Sequence, residues 1–322
     1  MMNATDKNLR QGIEASLADL IRVRPDRNMT GFAPGGKVST HQFGSNRSVF
    51  RGSGIEFDES RVYQPGDDVK AIDWRVTART GTVHTKLFHE ERERPVLVLV
   101  DCRAMMHFGS QVRFKSVMAA QIAAMLCWVG IDGGDRVGGF VLDRRGMQSF
   151  PMTRNRTGML TFLNGISAAT RGHDDIDTNT VAEAPLQRAL RQLRHTSRPG
   201  TLLFVVSDFS DFDTQAENEL KRLSLRGHVT NILVYDRLDA ALPARGDYRV
   251  SDGDSVIALP GLGTTQLRDY QQAFHGRRER LETLSRQRRM AFMALATGDD
   301  PKTVLTPHRK NLRRRQQWGN AA

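Results

Sequence analysis

Three short apolar runs, rich in β-branched residues, dominate the middle of the chain. They are PVLVLVD at 95–101, TLLFVVSD at 201–208 and HVTNILVYD at 228–236. Unbroken runs of this kind are typical of strands buried on both faces of a parallel sheet. Helical periodicity occupies 112–130, 155–168, 184–195 and 215–226. Strands that alternate with helices predict an α/β fold, with a mostly parallel sheet and helices on both of its faces.

Smaller elements are predicted toward the start of the chain. A helical stripe over 6–24 predicts an amphipathic helix, and its members are Leu9, Ile13, Leu17, Leu20 and Ile21. The glycines and prolines of 28–37 predict a loop. The polar residues of 38–60, with scattered phenylalanines, predict short strands or turns.

The later part of the chain shows strand and helix patterns in turn. Residues 134–152 predict two strands joined by a polar turn at Asp143 to Gly146, and 247–259 predict a hairpin. A helical stripe continues through 264–289 despite the dense arginines, and a strand follows at 290–297. We therefore divide the chain into an N-terminal helix and loop (1–35), a small β-rich module (36–94), the α/β domain (95–260) and a basic helix, short strand and tail (261–322).

Charge and composition favour acidic partners without selecting one. The net charge is +11 and the sequence pI about 10.2, and part of the surplus lies in 277–289 and 308–315. Such a surplus favours nucleic acid, an anionic membrane face or an acidic protein surface. No apolar run reaches the about 18 residues needed to cross a bilayer, so no transmembrane segment is expected. Cys102 and Cys127 match neither a disulfide framework nor a metal motif, which indicates a cytoplasmic protein with reduced thiols.

Carboxylates follow all three buried strands. They are Asp101, Asp208 and Asp236. In open parallel sheets, ligands bind beyond the carboxyl ends of the strands, so these residues are candidates for a site. The alternative is local, because an aspartate after a strand often caps the next loop without any ligand. The proximity of Asp101 and Asp208 on neighbouring strands favours a site for that pair.

The usual catalytic fingerprints are missing from the sequence. It contains no GxGxxG after a strand, no GxxxxGK[ST], no GxSxG and no HExxH. Phosphatases that use a strand-end aspartate need a second carboxylate two residues later, where this chain has Arg103. Cys102 is adjacent to that arginine, but a small buried residue is favoured over an activated thiolate.

The segment RVYQPGDDVKAIDWRVTART (61–80) alternates charged and aromatic residues. Pro65 and Gly66 fit the central positions of a type II turn, and Asp67 or Asp68 can cap the helical turn after it. Trp74 is predicted as an anchor whose indole N–H finds a partner. An ion-pair network is favoured over a nucleic-acid patch, since both signs occur among Arg61, Lys70, Arg75, Arg79, Asp67, Asp68 and Asp73. The segment is therefore predicted to brace the small module against the main sheet.

A long motif string runs from residue 50 to residue 101. It reads G-x-G-x-E-F-D, R-x-Y-Q-P-G-D-D, I-D-W-x-x-x-A-R and E-x-E-R-P, and ends in a strand closed by Asp. This string resembles the domain of unknown function family 58 (DUF58), and GDRVGGFVL and VVSDFSD extend the resemblance over about 45–300. The resemblance implies a structural or partner-docking role for the hallmark residues Arg61, Tyr63, Pro65, Gly66, Asp67, Asp68, Asp73, Trp74 and Arg79.

The family resemblance also implies a fold and a role. Its members are similar to von Willebrand factor type A domains, and their genes commonly lie beside those of a MoxR-type AAA+ ATPase and of membrane proteins with A domains. The implied role is an adaptor or co-chaperone of that ATPase in protein maturation or complex assembly. Expected partners are the ATPase and membrane-anchored A-domain proteins. Many relatives carry two membrane spans near the N-terminus, which this sequence lacks, so we expect a location in the cytoplasm or at the inner membrane face.

The similarity to A domains implies a metal-ion-dependent adhesion site, whose first motif is D-x-S-x-S. Asp101 keeps the aspartate, whereas Arg103 and Met105 replace the two serines. Asp208 matches the later aspartate, and Thr178 and Thr180 are the nearest candidates for the threonine that the site requires.

These replacements argue against a bound cation. Mg²⁺ requires hard oxygen ligands in near-octahedral array, and two of them are lost. A permanent guanidinium within about 4 Å of a divalent ion would oppose its binding by several kcal/mol. We therefore predict no cofactor, and a salt bridge from Arg103 to Asp101 or Asp208 in place of the metal.

Three functions remain under comparison. The leading hypothesis is a non-catalytic adaptor that docks an AAA+ ATPase and its client. A metal-dependent hydrolase built on Asp101, Asp208 and Asp236 is the second. A nucleic-acid-binding protein that acts through the C-terminal arginines is the third, although a solvated helix face and tail explains those residues as well.

Overall fold

The computed structural model describes residues 12–26, 29–33, 37–40, 51–52, 56–89, 94–171, 183–242, 248–251, 256–259 and 264–305. The chain divides into two compact units. Residues 1–38 and 94–322 form the larger unit, and residues 39–93 form the smaller one.

The described N-terminal elements are α1 (Leu17–Arg22), β1 (Met29–Ala33) and β2 (Lys37–Thr40). The helix predicted over 6–24 is too long within the described residues, because α1 starts only after Ser16. Ser16 and Asp19 form a capping box there, and the preceding Ala15 N–H donates to Thr170 Oγ1 at 3.0 Å. The predicted loop at 28–37 is also wrong, since β1 and β2 pair with each other.

The smaller unit contains a three-stranded antiparallel sheet. Its elements are β3 (Arg51–Gly52), β4 (Glu56–Val62), α2 (Trp74–Thr80) and β5 (His84–His89). The strands lie in the order β3-β5-β4. A short 3-10 helix, Val69–Ala71, precedes α2 and lies beside β5 through the bridge between Ile72 and Thr85.

The larger unit is built around a six-stranded sheet. Its elements, with the helices between them, are β6 (Pro95–Asp101), α3 (Lys115–Asp132), β7 (Arg136–Asp143), β8 (Gly146–Thr153), α4 (Arg156–Thr170), α5 (Leu186–Thr196), β9 (Thr201–Ser207), α6 (Thr214–Leu223), β10 (Gly227–Tyr235), α7 (Arg237–Ala240), β11 (Tyr248–Ser251), β12 (Val256–Leu259), α8 (Thr264–Gln287) and β13 (Ala291–Ala296). The hairpin predicted at 247–259 is present as the separate pair β11 and β12.

The order of the six strands is β13-β10-β9-β6-β7-β8. All neighbours are parallel except β7 and β8, which are joined by the predicted turn. Alternate residues of β6 enter different cores: Val96 and Val98 face the side of α1, α3 and α4, while Leu97 and Leu99 face α5, α6 and α8. The predicted α/β class, with helices on both faces of a mostly parallel sheet, is confirmed.

Helix α3 is the most deeply buried helix described. Apolar residues cover it on all sides, and its Trp128 indole N–H donates to the Leu20 carbonyl at 3.1 Å. Arg24 and Arg156 lie over the Trp128 ring, with 4.9 and 5.0 Å between each guanidinium carbon and the ring centroid. This helix has the length and composition of a membrane span, and 83% of that window is buried within the protein. A helix that is apolar all round fits a protein core as well as a membrane.

The strand order predicts a cleft at the ends of two neighbouring strands. The chain leaves β6 toward β7 on one side, whereas β9 pairs on the other side of β6. Such a reversal of direction is the topological switch point at which open α/β sheets bind ligands. A ligand site is therefore expected at the loops that follow β6 and β9.

Candidate functional site

The three strand-end carboxylates lie at one edge of the sheet. Asp101 ends β6, Asp208 follows β9 and Asp236 follows β10, and these strands are neighbours. All three residues are almost fully buried. A buried carboxylate is stabilised by hydrogen bonds, by a neighbouring positive charge, or by both. The partners of each therefore decide what this edge of the sheet can do.

Arg103 lies between two carboxylates. Its Nε and Nη2 donate to Asp101 at 3.0 and 2.8 Å, and its Nη1 and Nη2 donate to Asp211 at 2.7 and 2.8 Å. Both contacts are bidentate, a geometry that a planar guanidinium makes and an ammonium does not. The side chain of Arg103 is only 7% exposed. We call this arrangement the Arg103 clamp.

The clamp uses the hydrogen-bonding capacity of both partners. The remaining Nη1 hydrogen of Arg103 points to the Ala184 carbonyl at 3.4 Å. Asp101 also accepts the Arg103 backbone N–H at 3.1 Å and the Ser207 hydroxyl at 2.6 Å. The guanidinium donors and the Asp101 oxygens are thus all engaged within the protein. Little capacity is left for an external ligand at either group.

The predicted salt bridge between Arg103 and Asp101 is present, but the second partner is different. The sequence offered Asp208 as the alternative, whereas Arg103 bonds to Asp211. The loop after β9 turns sharply at Phe209, whose φ of 51° lies in the left-handed region. Asp211 also accepts the Leu186 N–H at 2.8 Å, so the clamp links three loops.

Asp208 pairs with Lys115, a residue that the sequence reasoning missed. Lys115 is the first residue of α3 and is 1% exposed. Its Nζ lies 2.9 Å from Asp208 Oδ2 and 3.1 Å from Asp239 Oδ2. A lysine at a helix N-terminus is unfavourable for the helix dipole, so the two carboxylates outweigh that effect. The one signal in the sequence was a lysine at the start of an otherwise apolar helix.

The pKa shifts of Asp208, Asp211 and Lys115 agree with these pairings, whereas burial raises the pKa of Asp101 despite its hydrogen bonds from Arg103 and Ser207. Burial opposes the charge on Asp208, but Lys115 outweighs it and lowers the pKa of Asp208. Burial likewise opposes the charge on Asp211, and the Arg103 hydrogen bonds lower the pKa of Asp211. Although burial disfavours the ammonium, Asp208 and Asp239 raise the pKa of Lys115. The pairs of Lys115 with Asp208 and of Arg103 with Asp211 are therefore ionised at neutral pH.

Asp236 acts as a local cap and does not join the clamp. It begins α7 by accepting the Leu238 N–H at 2.9 Å, and Asp239 completes a capping box with it. Its second oxygen accepts the Ser110 N–H at 3.0 Å and the Thr297 hydroxyl at 2.6 Å. The capping alternative thus describes Asp236, and the three aspartates do not form one shared site.

A cavity of about 260 Å³ opens at the clamp. It is lined by Asp101, Arg103, Met105, Met106, Glu183, Pro185, Asp208, Ser210 and Asp211. Met105 is 57% exposed, and Glu183 accepts the Ala104 N–H at 2.8 Å. The Cys102 thiol is buried and is not among the residues that line the cavity, and burial raises the pKa of that thiol well above its ordinary value.

The residues at this edge do not fit the divalent cation that the A-domain resemblance implies. One would-be ligand, Asp101, is occupied by a guanidinium, and the other, Asp208, is occupied by an ammonium. Thr178 and Thr180 lie outside the described residues. Within the part of the chain that is described, no group of His, Cys, Asp and Glu side chains has an arrangement suited to a metal ion.

The hallmark segment forms the turn that its residues predicted. Gly66 has a φ of 107°, next to Pro65, and the Asp67 N–H donates to the Gln64 carbonyl at 3.0 Å. Asp67 pairs with Arg61 at 2.6 Å and its carbonyl accepts the Tyr63 hydroxyl at 3.3 Å. Each aspartate thus has a separate local role: Asp68 caps the 3-10 helix and Asp73 caps α2.

Two predictions for the hallmark segment are wrong. Trp74 is 68% exposed and is not a buried anchor, because it is the first residue of α2 and Asp73 alone fixes the helix start. Among the described residues, the ion-pair network expected for this segment is reduced to the pair of Arg61 and Asp67. Arg75 and Arg79 are exposed and have no carboxylate partner among the residues that the structure describes.

The fold and the site define an α/β protein in which two of the strand-end carboxylates, Asp101 and Asp208, are neutralised by cations of the same chain. The model of the family "Protein of unknown function DUF58" matches residues 59–259, so the chain belongs to this family. The resemblance seen in the motif string is confirmed.

Relatives and solved structures extend this comparison. The uncharacterized protein Rv1480 of Mycobacterium tuberculosis is 30% identical over 226 residues, which are 70% of this chain and 69% of the relative. The conserved hypothetical protein BatB of Bacteroides thetaiotaomicron has a TM-score of 0.43 at 14% identity, over 71% of this chain and 100% of that chain. A von Willebrand factor type A protein of Catenulispora acidiphila has a TM-score of 0.33 at 12% identity, over 68% of this chain and 42% of that chain.

Proposed function

We propose that this protein is a non-catalytic, A-domain-like adaptor that works with a MoxR-type AAA+ ATPase in protein maturation or complex assembly. The observation that carries the proposal is the Arg103 clamp, which engages the oxygens that relatives of A-domain type would offer to a cation. Arg103 and Lys115 engage the carboxylates at the ends of β6 and β9, so neither carboxylate is available as a general base or as a metal ligand. In this proposal the pocket holds its loops in shape for contact with other proteins.

The proposal places the protein in the cytoplasm or at the inner membrane face. Membrane-anchored A-domain proteins are the further partners that the family resemblance supports. No cofactor is proposed, because Arg103 and Lys115 supply the positive charge at the positions where Mg²⁺ would be bound.

Retention of the ATPase tests the adaptor role. The purified chain, immobilised at micromolar concentration in low salt, is expected to retain the purified MoxR-type ATPase of the same genome and to change its rate of ATP hydrolysis. An unrelated AAA+ ATPase of similar size and charge serves as the control. If the MoxR-type ATPase is retained no better than this control, the adaptor role is refuted.

Titration with Mg²⁺ separates the adaptor from a metal-dependent hydrolase. We expect no heat of binding when Mg²⁺ or Mn²⁺ is added to the protein in a calorimeter, because both candidate aspartates are already neutralised. A known metal-binding A domain under the same conditions provides the positive control. Stoichiometric binding would instead favour the hydrolase.

A further inference from the structure

One surface of α2 is exposed and carries an unusual set of side chains. Trp74, Arg75, Ala78 and Arg79 are all exposed, and Trp74 reaches 68%. Residues four apart lie side by side on a helix, so Trp74 is next to Ala78 and Arg75 is next to Arg79. We call these four residues the α2 face. The large aromatic ring of Trp74 lies beside the small side chain of Ala78 and the two guanidiniums.

This face is unfavourable for the chain on its own. Two like charges four residues apart repel each other, and Arg75 lies in the first turn, where the helix dipole also disfavours a cation. No described carboxylate relieves either effect, since Asp73 is used in capping and accepts the N–H groups of Arg75 and Val76. An acidic partner would remove all of these costs at once.

The backbone beneath the α2 face is held firmly in place. Gly81, with a φ of 73°, ends the helix. The Asp73 N–H donates to the His84 carbonyl at 2.8 Å, and the His84 N–H donates to Thr77 Oγ1 at 3.0 Å. These bonds join the start and the middle of the helix to β5. A surface fixed before binding loses less entropy when a partner docks on it.

We propose that the α2 face docks an acidic segment of a partner protein. An apolar side chain of that segment covers Trp74, and its carboxylates pair with Arg75 and Arg79. Tryptophan and arginine are the residues that most often dominate binding energy at protein interfaces, and paired guanidiniums match carboxylates in bidentate geometry. The net charge of +11 favours an acidic partner as well. The inference rests partly on the proposed function, since it assigns that adaptor a docking face.

Single-stranded nucleic acid fits the α2 face less well. Proteins that bind it present a basic groove with several aromatic rings for successive bases. The α2 face has one aromatic ring, and the exposed Asp68 lies a few residues before it. An acidic protein segment is therefore the occupant that the charges and side chains favour.

Binding of a defined acidic peptide tests the α2 face directly. The probe is a fluorescent synthetic peptide of alternating glutamates and leucines, and its anisotropy is measured with the full chain. Trp74→Ala and the double variant Arg75→Glu/Arg79→Glu are each expected to weaken binding about tenfold or more. Their thermal midpoints should not fall, since the replaced side chains are exposed and Arg75→Glu suits the helix dipole.

Matched variants elsewhere control for size and charge. Leu225→Ala removes another exposed apolar side chain, at 79% exposure, and Arg188→Glu/Arg226→Glu makes the same change in net charge at exposed positions. Both should bind the peptide like the wild type. Equal losses in the control and test variants would overturn the proposal, as would an absence of peptide binding. Stronger binding of labelled oligothymidylate through the same face would replace the protein segment by nucleic acid.

The ATPase assay separates failure of the face from failure of the adaptor. If the wild type and the α2-face variants retain the ATPase equally well, the docking face is wrong and the adaptor role stands. If the wild type binds the peptide through the α2 face but does not retain the ATPase, the adaptor role is wrong and the docking face stands. If the α2-face variants lose retention of the ATPase while the wild type and the control variants keep it, the adaptor role and the docking face are both supported.

Discussion

Replacing Arg103 by methionine is expected to lower the free energy of unfolding by about 3–5 kcal/mol at neutral pH. The change removes the guanidinium that contacts Asp101 and Asp211 at distances between 2.7 and 3.0 Å. Asp101 is 0% exposed, so its charge would remain in the interior without a counter-charge. Methionine keeps much of the side-chain length, which limits the contribution of a cavity. Chemical denaturation followed by circular dichroism measures the difference.

The same substitution at Arg144 is the matched control. Arg144 is 38% exposed and lies 4.0 Å from Glu183, so Arg144→Met should cost no more than about 1 kcal/mol. Arg103→Lys should recover only part of the loss, because an ammonium cannot make two bidentate contacts. If Arg103→Met is no more destabilising than Arg144→Met, the clamp contributes nothing measurable. The proposed replacement of a metal by Arg103 would then lose its physical basis.

Lys115→Met, like Arg103→Met, is expected to lower the free energy of unfolding by about 3–5 kcal/mol at neutral pH. The ammonium lies 2.9 Å from Asp208 and 3.1 Å from Asp239, and neither carboxylate has another cationic partner within the described residues. Asp208 is 3% exposed, so water cannot replace the ammonium. Denaturation midpoints at matched protein concentration give the comparison with the wild type.

The stability of Lys115→Met should change with pH in the direction opposite to that of the wild type. Burial opposes the charge on Asp208, yet Lys115 lowers the pKa of Asp208 below its ordinary 3.8. The wild-type pair therefore adds stability above about pH 4 and loses it as the pH falls through the folded-state pKa. Without Lys115, the hydrogen bonds from Ser210 are the main interaction left to oppose burial, and we expect burial to raise that pKa. The variant then loses stability as the pH rises, so its deficit should be smaller at about pH 5 than at about pH 7.5.

A second substitution checks this explanation. In Lys115→Met/Asp208→Asn the charge of Asp208 is removed together with the ammonium, so part of the lost stability should return and the pH dependence should weaken. Asp239 lacks its Lys115 partner in both variants, so its contribution is the same in each. An equal deficit at both pH values in Lys115→Met would mean that packing, and not charge, accounts for the loss.

The elements of the sheet could be predicted from the sequence because their signal is local. The three apolar runs form the buried parallel strands that end at Asp101, Ser207 and Tyr235. The errors lie near the N-terminus, where tertiary contacts decide. Pairing of β1 with β2 outweighed the glycines of 28–37, and the Ser16 cap shortened the helix predicted before it.

The site could be predicted only in part. Arg103 and Asp101 are two residues apart, so their pairing follows from the local sequence. Lys115 and Asp208 are 93 residues apart, and only the fold brings α3 to the end of β9. Asp211 was missed because the left-handed turn at Phe209 redirects the loop, which its sequence did not indicate. Trp74 was predicted as an anchor because its indole N–H was expected to find a partner, whereas its position at the start of α2 leaves it in solvent.

The shared cations also constrain how this pocket can evolve. Arg103 and Lys115 each pair with two carboxylates. A mutation that removes either cation therefore leaves two carboxylates without a counter-charge before a metal ion is bound in its place. Such an intermediate forfeits a large part of the about 5–15 kcal/mol by which natural proteins are stable. A lineage with both residues therefore faces a fitness valley on the way to metal binding, and drift by single substitutions will tend to preserve the pair.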